Sequence, residues 1–360
     1  MATQARTAQI SDPPQSYGMA RQAIMNGGHL IAQRGTSFAT PSNAQYYIDR
    51  YQLAFNEDGG TLPTTHTHSQ AQTQVLPGVS RIYRITVDGA GSSFGTNADY
   101  RVQQKIENGT FILGTNASQD VTLSFWARSS ISGKKLAVNL GQYYGSGGSP
   151  TAEEIHTGSE WTLTANFVRY SHTFTLNTIF GKTFGTDLND HLRVQFHYMY
   201  GATTAAAIGA AGAEDFVGSG TIDIAGLQFN LGSEALPFEP KSQAQELADC
   251  QRYRQVFTGA GFFIIGQGSA RSTTSASITI PFFAQMRATP TLIATGTEWS
   301  LLDGFGAAVQ TTAVAMDTAV DSQYNGSLDV TVASGLTAFR PYRFAGDNAG
   351  TRTMIFSAEQ

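Results

Sequence analysis

The 360-residue chain has little of what marks several common classes of protein. Its single cysteine, Cys250, excludes an intrachain disulfide framework. Charged residues make up only 14% of the chain and the net charge is -5, which argues against nucleic-acid binding, since such proteins present a basic face. The sequence has no run of about 18 apolar residues, so no membrane insertion is predicted. Residues 1–14 lack an apolar stretch, so a cleaved secretory signal is not predicted.

Motifs that carry catalysis are also missing. The sequence contains no phosphate-binding loop, zinc-protease helix or nucleophile elbow. A glycosidase would need two carboxylates at a cleft, but the adjacent Glu153 and Glu154 are typical of a solvated turn. We therefore expect a protein that is not an enzyme and has no cofactor. A structural calcium ion near the acidic loops is kept as an alternative, although no loop shows the ligand spacing of a calcium site.

The composition that is present favours strands and tight turns. The chain has 38 glycines and is 41% apolar, which fits an all-β protein rather than a disordered one. Its length suggests two domains, with three as the alternative. We predict two β-sandwich (jelly-roll-like) domains joined by a short α-helix. The expected parts are an extended N-terminal arm that anchors the protein (1–22), a first sandwich (23–240), a connecting helix (241–257) and a second sandwich (258–360).

The stretch Leu236–Phe257 gives the only clear helix signal. Two prolines keep its approach extended, Ser242 fits the N-cap position, and Gln245 falls three residues later. An apolar face then follows at spacings of three: Ala244, Leu247, Cys250 and Tyr253. A helix this short must pack on something larger. We therefore predict structural or interface roles for Leu247, Cys250 and Tyr253, with Cys250 a buried hydrophobe rather than a reactive thiol.

Period-two alternation predicts strands in both halves of the chain. Val121–Arg128 is the strongest of these in the first half, and Leu192–Tyr200 is another. Between the strands, Glu57–Thr73 is polar and turn-rich, His156–Glu160 is turn-like, and the Ala/Gly/Thr run Gly201–Gly212 is predicted to be a surface loop.

Several segments resemble bacteriophage tail-fibre and other virion proteins with a carbohydrate-binding-module-like β-sandwich. Glu246–Tyr253 (ELADCQRY) reproduces the family's helix motif, although Arg254 stands where a second tyrosine is usual. Ser124–Ser130 matches its Ser-Phe-Trp-Ala strand. Weaker matches cover Ile24–Asn26, Ala32–Ser37, Tyr47–Tyr51, Gly232–Pro240 and Met286–Pro290.

The resemblance implies a non-enzymatic virion surface protein, assembled in the host cytoplasm and exposed on the particle. It implies a tail fibre or receptor-binding module that is anchored by the N-terminal arm. The implied partners are other virion proteins, further copies of the chain in a homotrimer, and a host surface glycan. A capsid-decorating or cementing head protein without receptor binding is the alternative. A polysaccharide depolymerase is a third reading, against which the lack of a parallel β-helix repeat counts.

Candidate site residues follow from ring and ligand chemistry. Sugars stack on exposed aromatic rings, and the candidates for this role are Trp126, Tyr143, Tyr144 and Trp161. Core or subunit-interface packing is the competing interpretation for each tryptophan. His66 and His68 alternate on one strand face and could hold a metal, in a trimer as a ring around the axis. A solvated loop is the alternative.

Arg287 lies in a nearly apolar segment and should need a partner, since a buried lone charge is costly. We predict a structural role in which it bonds backbone carbonyl groups or a carboxylate such as Glu359.

Overall fold

The computed structural model describes Gly18 and residues 20–39, 42–216, 218–294, 298–304, 307–320 and 322–359. These residues form twenty strands and three short helices, so the predicted all-β class is confirmed. The chain divides into two compact units with a boundary between Glu246 and Leu247. Most of the predicted N-terminal arm, residues 1–17 and 19, lies outside the described residues. In the part that is described, no helix is long and apolar enough to cross a membrane.

The first unit is a β-sandwich of two antiparallel sheets. Its elements are β1 Ser37–Ala39, β2 Gln52–Asn56, β3 Thr65–Leu76, β4 Val79–Asp88, β5 Asp99–Glu107, α1 Gly109–Leu113, β6 Gln119–Ser129, β7 Lys135–Tyr143, β8 Glu154–Thr162, β9 Val168–Leu176, β10 His191–Tyr200, α2 Ala202–Ile208 and β11 Gly220–Leu231. One sheet has the order β1-β3-β4-β11-β6-β9 and the other β2-β5-β10-β7-β8.

The core of this unit lies between the two sheets. Val121, Leu123 and Phe125 alternate along β6 and are fully buried. Phe125 meets Phe196 of the facing sheet edge to face, with ring centroids 5.1 Å apart. The period-two pattern of the sequence therefore sets which face of each sheet is buried.

The last residues of the predicted arm belong to the sandwich. The carbonyl of Ala20 accepts a hydrogen bond from the amide of Leu231, and the amide of Ala23 donates to Phe229 O. Residues 20–23 therefore run beside β11 and are held by backbone bonds.

Three segments predicted to be loops or turns have regular structure. β3 occupies much of Glu57–Thr73, and β8 replaces the predicted turn at His156–Glu160. These two strands are rich in polar residues such as threonine and histidine, which suggest a loop by composition. Threonine nevertheless fits well in a pleated sheet, so the composition alone was misleading. The predicted loop Gly201–Gly212 contains α2, where four alanines supply helix propensity.

The predicted connecting helix is α3, Gln243–Gln251. The Ser242 hydroxyl accepts a hydrogen bond from the Gln245 amide at 3.3 Å, as an N-cap does. The helix is shorter than the predicted 241–257, because the backbone from Arg254 onward pairs with another strand. Cys250 and Tyr253 are buried, and Leu247 is partly buried.

The second unit is a closed barrel with a small additional sheet. Its strands are β12 Arg254–Ala260, β13 Ile264–Ala270, β14 Ser275–Pro281, β15 Thr291–Ile293, β16 Trp299–Leu302, β17 Ala308–Met316, β18 Asn325–Val332, β19 Pro341–Gly346 and β20 Thr351–Ser357. The barrel order is β13-β14-β18-β17-β16-β19, and the separate sheet is β12-β20-β15.

This barrel corrects the prediction of a second sandwich. Alternation predicts that one face of each strand is buried, which is true of a sandwich and of a barrel alike. Closure comes from the pairing of β13 with β19. Gly268 permits the close approach of β13 to β14, since a Cβ there would lie 1.8 Å from the carbonyl oxygen of Ser277.

Arg287 lies in the second unit beside the end of β20. Its Nε donates to the Ala358 carbonyl at 3.1 Å, and its Nη2 donates to the Glu359 carbonyl at 3.4 Å. The partners are backbone carbonyl groups, which is one of the two arrangements the sequence predicted.

Candidate functional site

The outer side of the five-stranded sheet carries a continuous array of polar side chains, called here the polar face. Alternate residues of β5 and β10 point to it, while Tyr100, Val102 and Phe196 point into the core. The polar face comprises Gln52, Asp99, Arg101, Gln103, Lys105, Glu107, Asn139, Tyr143, Glu153, His191, Arg193, Gln195 and His197.

A row of amides crosses the middle of the polar face. The strand register places Gln52 opposite Gln103, Gln103 opposite Gln195, and Gln195 opposite Asn139. Gln103 Nε2 donates to Gln52 Oε1 at 2.7 Å, and Gln195 Nε2 donates to Gln103 Oε1 at 3.2 Å. Amides both donate and accept hydrogen bonds. The row therefore places amide donors and acceptors across four strands, with each of the four residues at most 8% exposed.

A charged group lies on one side of the amide row. His197 Nδ1 lies 2.7 Å from Asp99 Oδ1, and its Nε2 lies 3.0 Å from Asn139 Oδ1. Arg101 also pairs with Asp99. Burial would raise the pKa of Asp99, but attraction and hydrogen bonds from His197 and Arg101 outweigh it and hold this pKa below its usual value. Asp99 is therefore a fixed negative charge at neutral pH.

The other side of the row combines an ion pair with two rings. Arg193 Nη2 donates to Glu153 Oε2 at 2.7 Å. Gly141 makes room for this pair, because a Cβ there would lie 2.2 Å from Glu153 Oε1. The rings of Tyr143 and His191 lie 4.7 Å apart. Burial lowers the pKa of His191 to about 3, so its ring is neutral near pH 7.

One end of the polar face is closed by α2. Ala205 and Ile208 of this helix pack on Ala137 and Tyr200. The Tyr200 hydroxyl donates to Glu160 Oε1 at 2.7 Å. The Tyr143 end carries partly exposed side chains instead, so a ligand would reach the amide row from that end or from above the sheet.

The four aromatic residues predicted from the sequence do not come together. Trp126 points to the outer side of the six-stranded sheet and packs near Val79. Trp161 packs edge to face on the core ring of Phe125, with centroids 5.7 Å apart. Tyr144 is fully buried, and its hydroxyl donates to Glu154 Oε2 at 2.6 Å. Of the four, Tyr143 alone belongs to the polar face.

His66 and His68 point from β3 into the sandwich core. Their Nε2 atoms lie 3.2 Å apart, and the hydroxyl of Tyr198 lies 3.0 Å from His66 Nε2. Burial lowers the pKa of His66 to about 4 and that of His68 well below its usual value, where the neighbouring His66 adds to the effect. Within the described ranges, no group of three or more His, Cys, Asp or Glu side chains is arranged to hold a metal.

Sequence reasoning missed the polar face although its signal is present. In β10, the apolar residues Leu192, Val194 and Phe196 alternate with His191, Arg193, Gln195 and His197. The same alternation predicts the buried side of the strand and the outward side. Charged and amide side chains that recur at every second position of two paired strands indicate the outward face of an antiparallel sheet, where a polar ligand can be contacted.

Comparisons with known proteins give structural similarity only. No protein-family model matches the chain, and no curated protein matches its sequence. Similar solved structures include the enzymatically active domain of tailspike protein 4 of bacteriophage CBA120. It is 12% identical, with a TM-score of 0.32, and the match covers 59% of this chain and 21% of that one.

Two other solved structures are matched over nearly their whole length. A protein from Bacteroides thetaiotaomicron, described as proposed to bind sugar, is 11% identical with a TM-score of 0.33, and 59% of this chain and 100% of that one are covered. The family 11 carbohydrate-binding module of Clostridium thermocellum is 9% identical with a TM-score of 0.31, covering 56% and 98%. TM-scores this low carry no argument about what this chain does.

Proposed function

We propose that the first unit binds a surface glycan on its polar face, in a non-enzymatic adhesion protein of a bacteriophage particle. The observation that carries the proposal is the row of amides on four paired strands. Gln52, Gln103 and Gln195 are joined by hydrogen bonds, and Asn139 lies opposite Gln195 in the strand register. Sugar hydroxyls both donate and accept hydrogen bonds, so amides of this kind match them in either direction. The neighbouring Tyr143 and His191 rings offer an apolar surface for the C–H side of a sugar.

The carboxylates of the polar face support binding rather than catalysis. Asp99 pairs with Arg101 and His197, and Glu153 pairs with Arg193. A general acid needs a carboxyl group whose pKa is raised, whereas attraction and hydrogen bonds from its partners lower the pKa of Asp99.

The place of the protein on a virion rests on the sequence resemblance, above all Glu246–Tyr253 and Ser124–Ser130. A homotrimeric tail fibre or receptor-binding module, docked through residues 1–22, fits that resemblance. The alternative is a capsid-decorating or cementing protein that binds no receptor.

Glycan-array binding by the purified chain tests the proposal, followed by titration calorimetry with the best ligand. We expect Gln195→Ala and Tyr143→Ala each to weaken binding about tenfold, since each removes an interaction worth about 1–1.5 kcal/mol. Gln72→Ala is the matched control, because Gln72 is exposed on the other sheet. Thermal unfolding of each variant shows whether the loss reflects binding or folding.

The outcomes separate the alternatives. Binding that is unchanged in Gln195→Ala and Tyr143→Ala would remove the polar face as the site. Absence of binding to glycans and to host cells, with the protein located on the head by particle imaging, would favour capsid decoration. Release of reducing sugar from a bound polysaccharide would make the protein an enzyme.

A further inference from the structure

Two histidines in the sandwich core are arranged as a chelating pair. His66 and His68 are two residues apart on β3, so their side chains leave the strand on the same face. Both are buried, with 2% and 0% of their surfaces exposed. Their Nε2 atoms converge to 3.2 Å.

A third polar atom completes a compact triangle. Tyr198, on β10 of the facing sheet, places its hydroxyl oxygen 3.0 Å from His66 Nε2 and 3.4 Å from His68 Nε2. Two ligands of a tetrahedral ion with bonds of about 2.0 Å lie about 3.3 Å apart, whereas neighbouring ligands of a square or octahedral ion lie about 2.8 Å apart. The three edges therefore fit one face of a tetrahedron.

Hydrogen bonds alone cannot use all of these contacts. Each Nε2 has one in-plane direction, in which it either donates or accepts, but each faces two partners in the triangle. At least one of the three distances therefore joins two polar atoms that have no hydrogen between them. A metal ion would satisfy each ligand with a single bond.

The surroundings of His68 match those of a metal ligand. Its second ring nitrogen, Nδ1, lies 2.9 Å from the hydroxyl of Tyr83. A histidine that binds a metal through one nitrogen usually donates from the other to an oxygen, which fixes the ring.

We propose that His66, His68 and Tyr198 bind one zinc ion in the core of the first unit. The ion would join β3 of the six-stranded sheet to β10 of the five-stranded sheet. Zinc fits because it takes nitrogen and oxygen ligands in tetrahedral geometry. Binding of the ion would release the proton of the Tyr198 hydroxyl, and the resulting phenolate would offset one of the two positive charges.

The test is metal content after refolding the full chain with Zn²⁺ and removing free ion. We expect about one zinc per chain in the native sequence and well below half of that in His68→Gln and in Tyr198→Phe. Tyr198→Phe keeps the ring and loses only the hydroxyl, so it remains informative if His68→Gln does not fold. His172→Gln is the control, because His172 lies on β9 and bonds Ser159 instead.

Two further measurements test the coordination geometry and the effect of the metal on stability. Refolding with Co²⁺ should give the visible absorption of a tetrahedral site, and a chelator should lower the Tm of the zinc-loaded native chain while leaving Tyr198→Phe unchanged. Metal-free protein after refolding with Zn²⁺, or equal zinc content in the native chain and Tyr198→Phe, would overturn the proposal.

Discussion

The two units differ most in what they bury. All seven histidines of the chain precede residue 200, so the second unit contains none. The sandwich buries His29, His66 and His68 in its interior and holds a polar row on one sheet, whereas the barrel interior is built around apolar side chains such as Trp299 and Phe344. Buried polar groups cost free energy unless they are bonded. Because the sandwich interior holds the buried histidines, the stability of the first unit should depend more strongly on pH than that of the second.

Acidification should give the largest difference in stability between the two units. Burial lowers the pKa of His29 to about 3, that of His66 to about 4 and that of His191 to about 3. Their stabilisation is complete above the unfolded pKa of 6.5 and is lost as the pH falls toward the folded values, because only the unfolded chain takes up the protons. Between pH 7.5 and pH 5, metal-free sandwich should lose about 6 kcal/mol of unfolding free energy from these three residues.

Urea unfolding followed by tryptophan fluorescence measures this difference. Trp126 and Trp161 report on the first unit, and Trp299 reports on the second. A Trp299→Phe variant isolates the first signal. Equal acid sensitivity in both units would contradict the comparison.

Truncation of one core ring in each unit should give the next largest effect. Phe125→Ala and Trp299→Ala each remove a fully buried ring, and each should cost about 3–5 kcal/mol. Phe125→Ala should lower the unfolding midpoint of the sandwich, and Trp299→Ala that of the barrel. If either variant destabilised both units equally in denaturant, the two interiors would not be independent.

Loss of the Arg287 side chain should weaken only the second unit. Arg287→Ala removes two hydrogen bonds to carbonyls of residues 358 and 359. Because Arg287 is partly exposed, the expected cost is about 1–2 kcal/mol. The exposed Arg343 serves as control, and Arg343→Ala should change the unfolding free energy by less than about 0.5 kcal/mol. An unchanged Arg287→Ala variant would refute the structural role.

The smallest effect should come from the helix cap at the boundary between the units. Ser242→Ala removes the acceptor of the Gln245 amide and should cost about 1 kcal/mol of helix stability. Ser242→Asp should restore it. Hydrogen exchange of the α3 amides measures both variants, and equal protection in all three proteins would show that the cap does not stabilise the helix.

Sequence alone predicted the elements with strong local signals. Val121–Arg128 lies within β6 and Leu192–Tyr200 matches β10 closely, because their alternation reports burial directly. The cap at Ser242 was found for a similar reason. α2 was missed because its alanines, outweighed by glycine and threonine in the surrounding run, gave no amphipathic pattern.

The candidate site was harder to predict because it depends on strand register. Gln52, Gln103 and Gln195 are far apart in sequence and meet only through the pairing of β2, β5 and β10. The closed barrel was missed for the same reason, since pairing of β13 with β19 joins distant segments. Tyr198 likewise reaches His66 across two sheets. The alternation of apolar and polar residues predicts which face of the sheet a side chain lies on. It does not predict which residues of the next strand lie beside it, because that depends on the register.

The most direct test of the central claim is an NMR titration with the best glycan from the array, following the side-chain NH₂ signals of Gln52, Gln103, Asn139 and Gln195. If the polar face binds the glycan, these signals should shift together with saturating dependence on ligand concentration, while those of Gln267 and Gln323 in the second unit stay fixed. Shifts confined to the second unit, or none in the amide row under saturating ligand, would contradict glycan binding at the polar face.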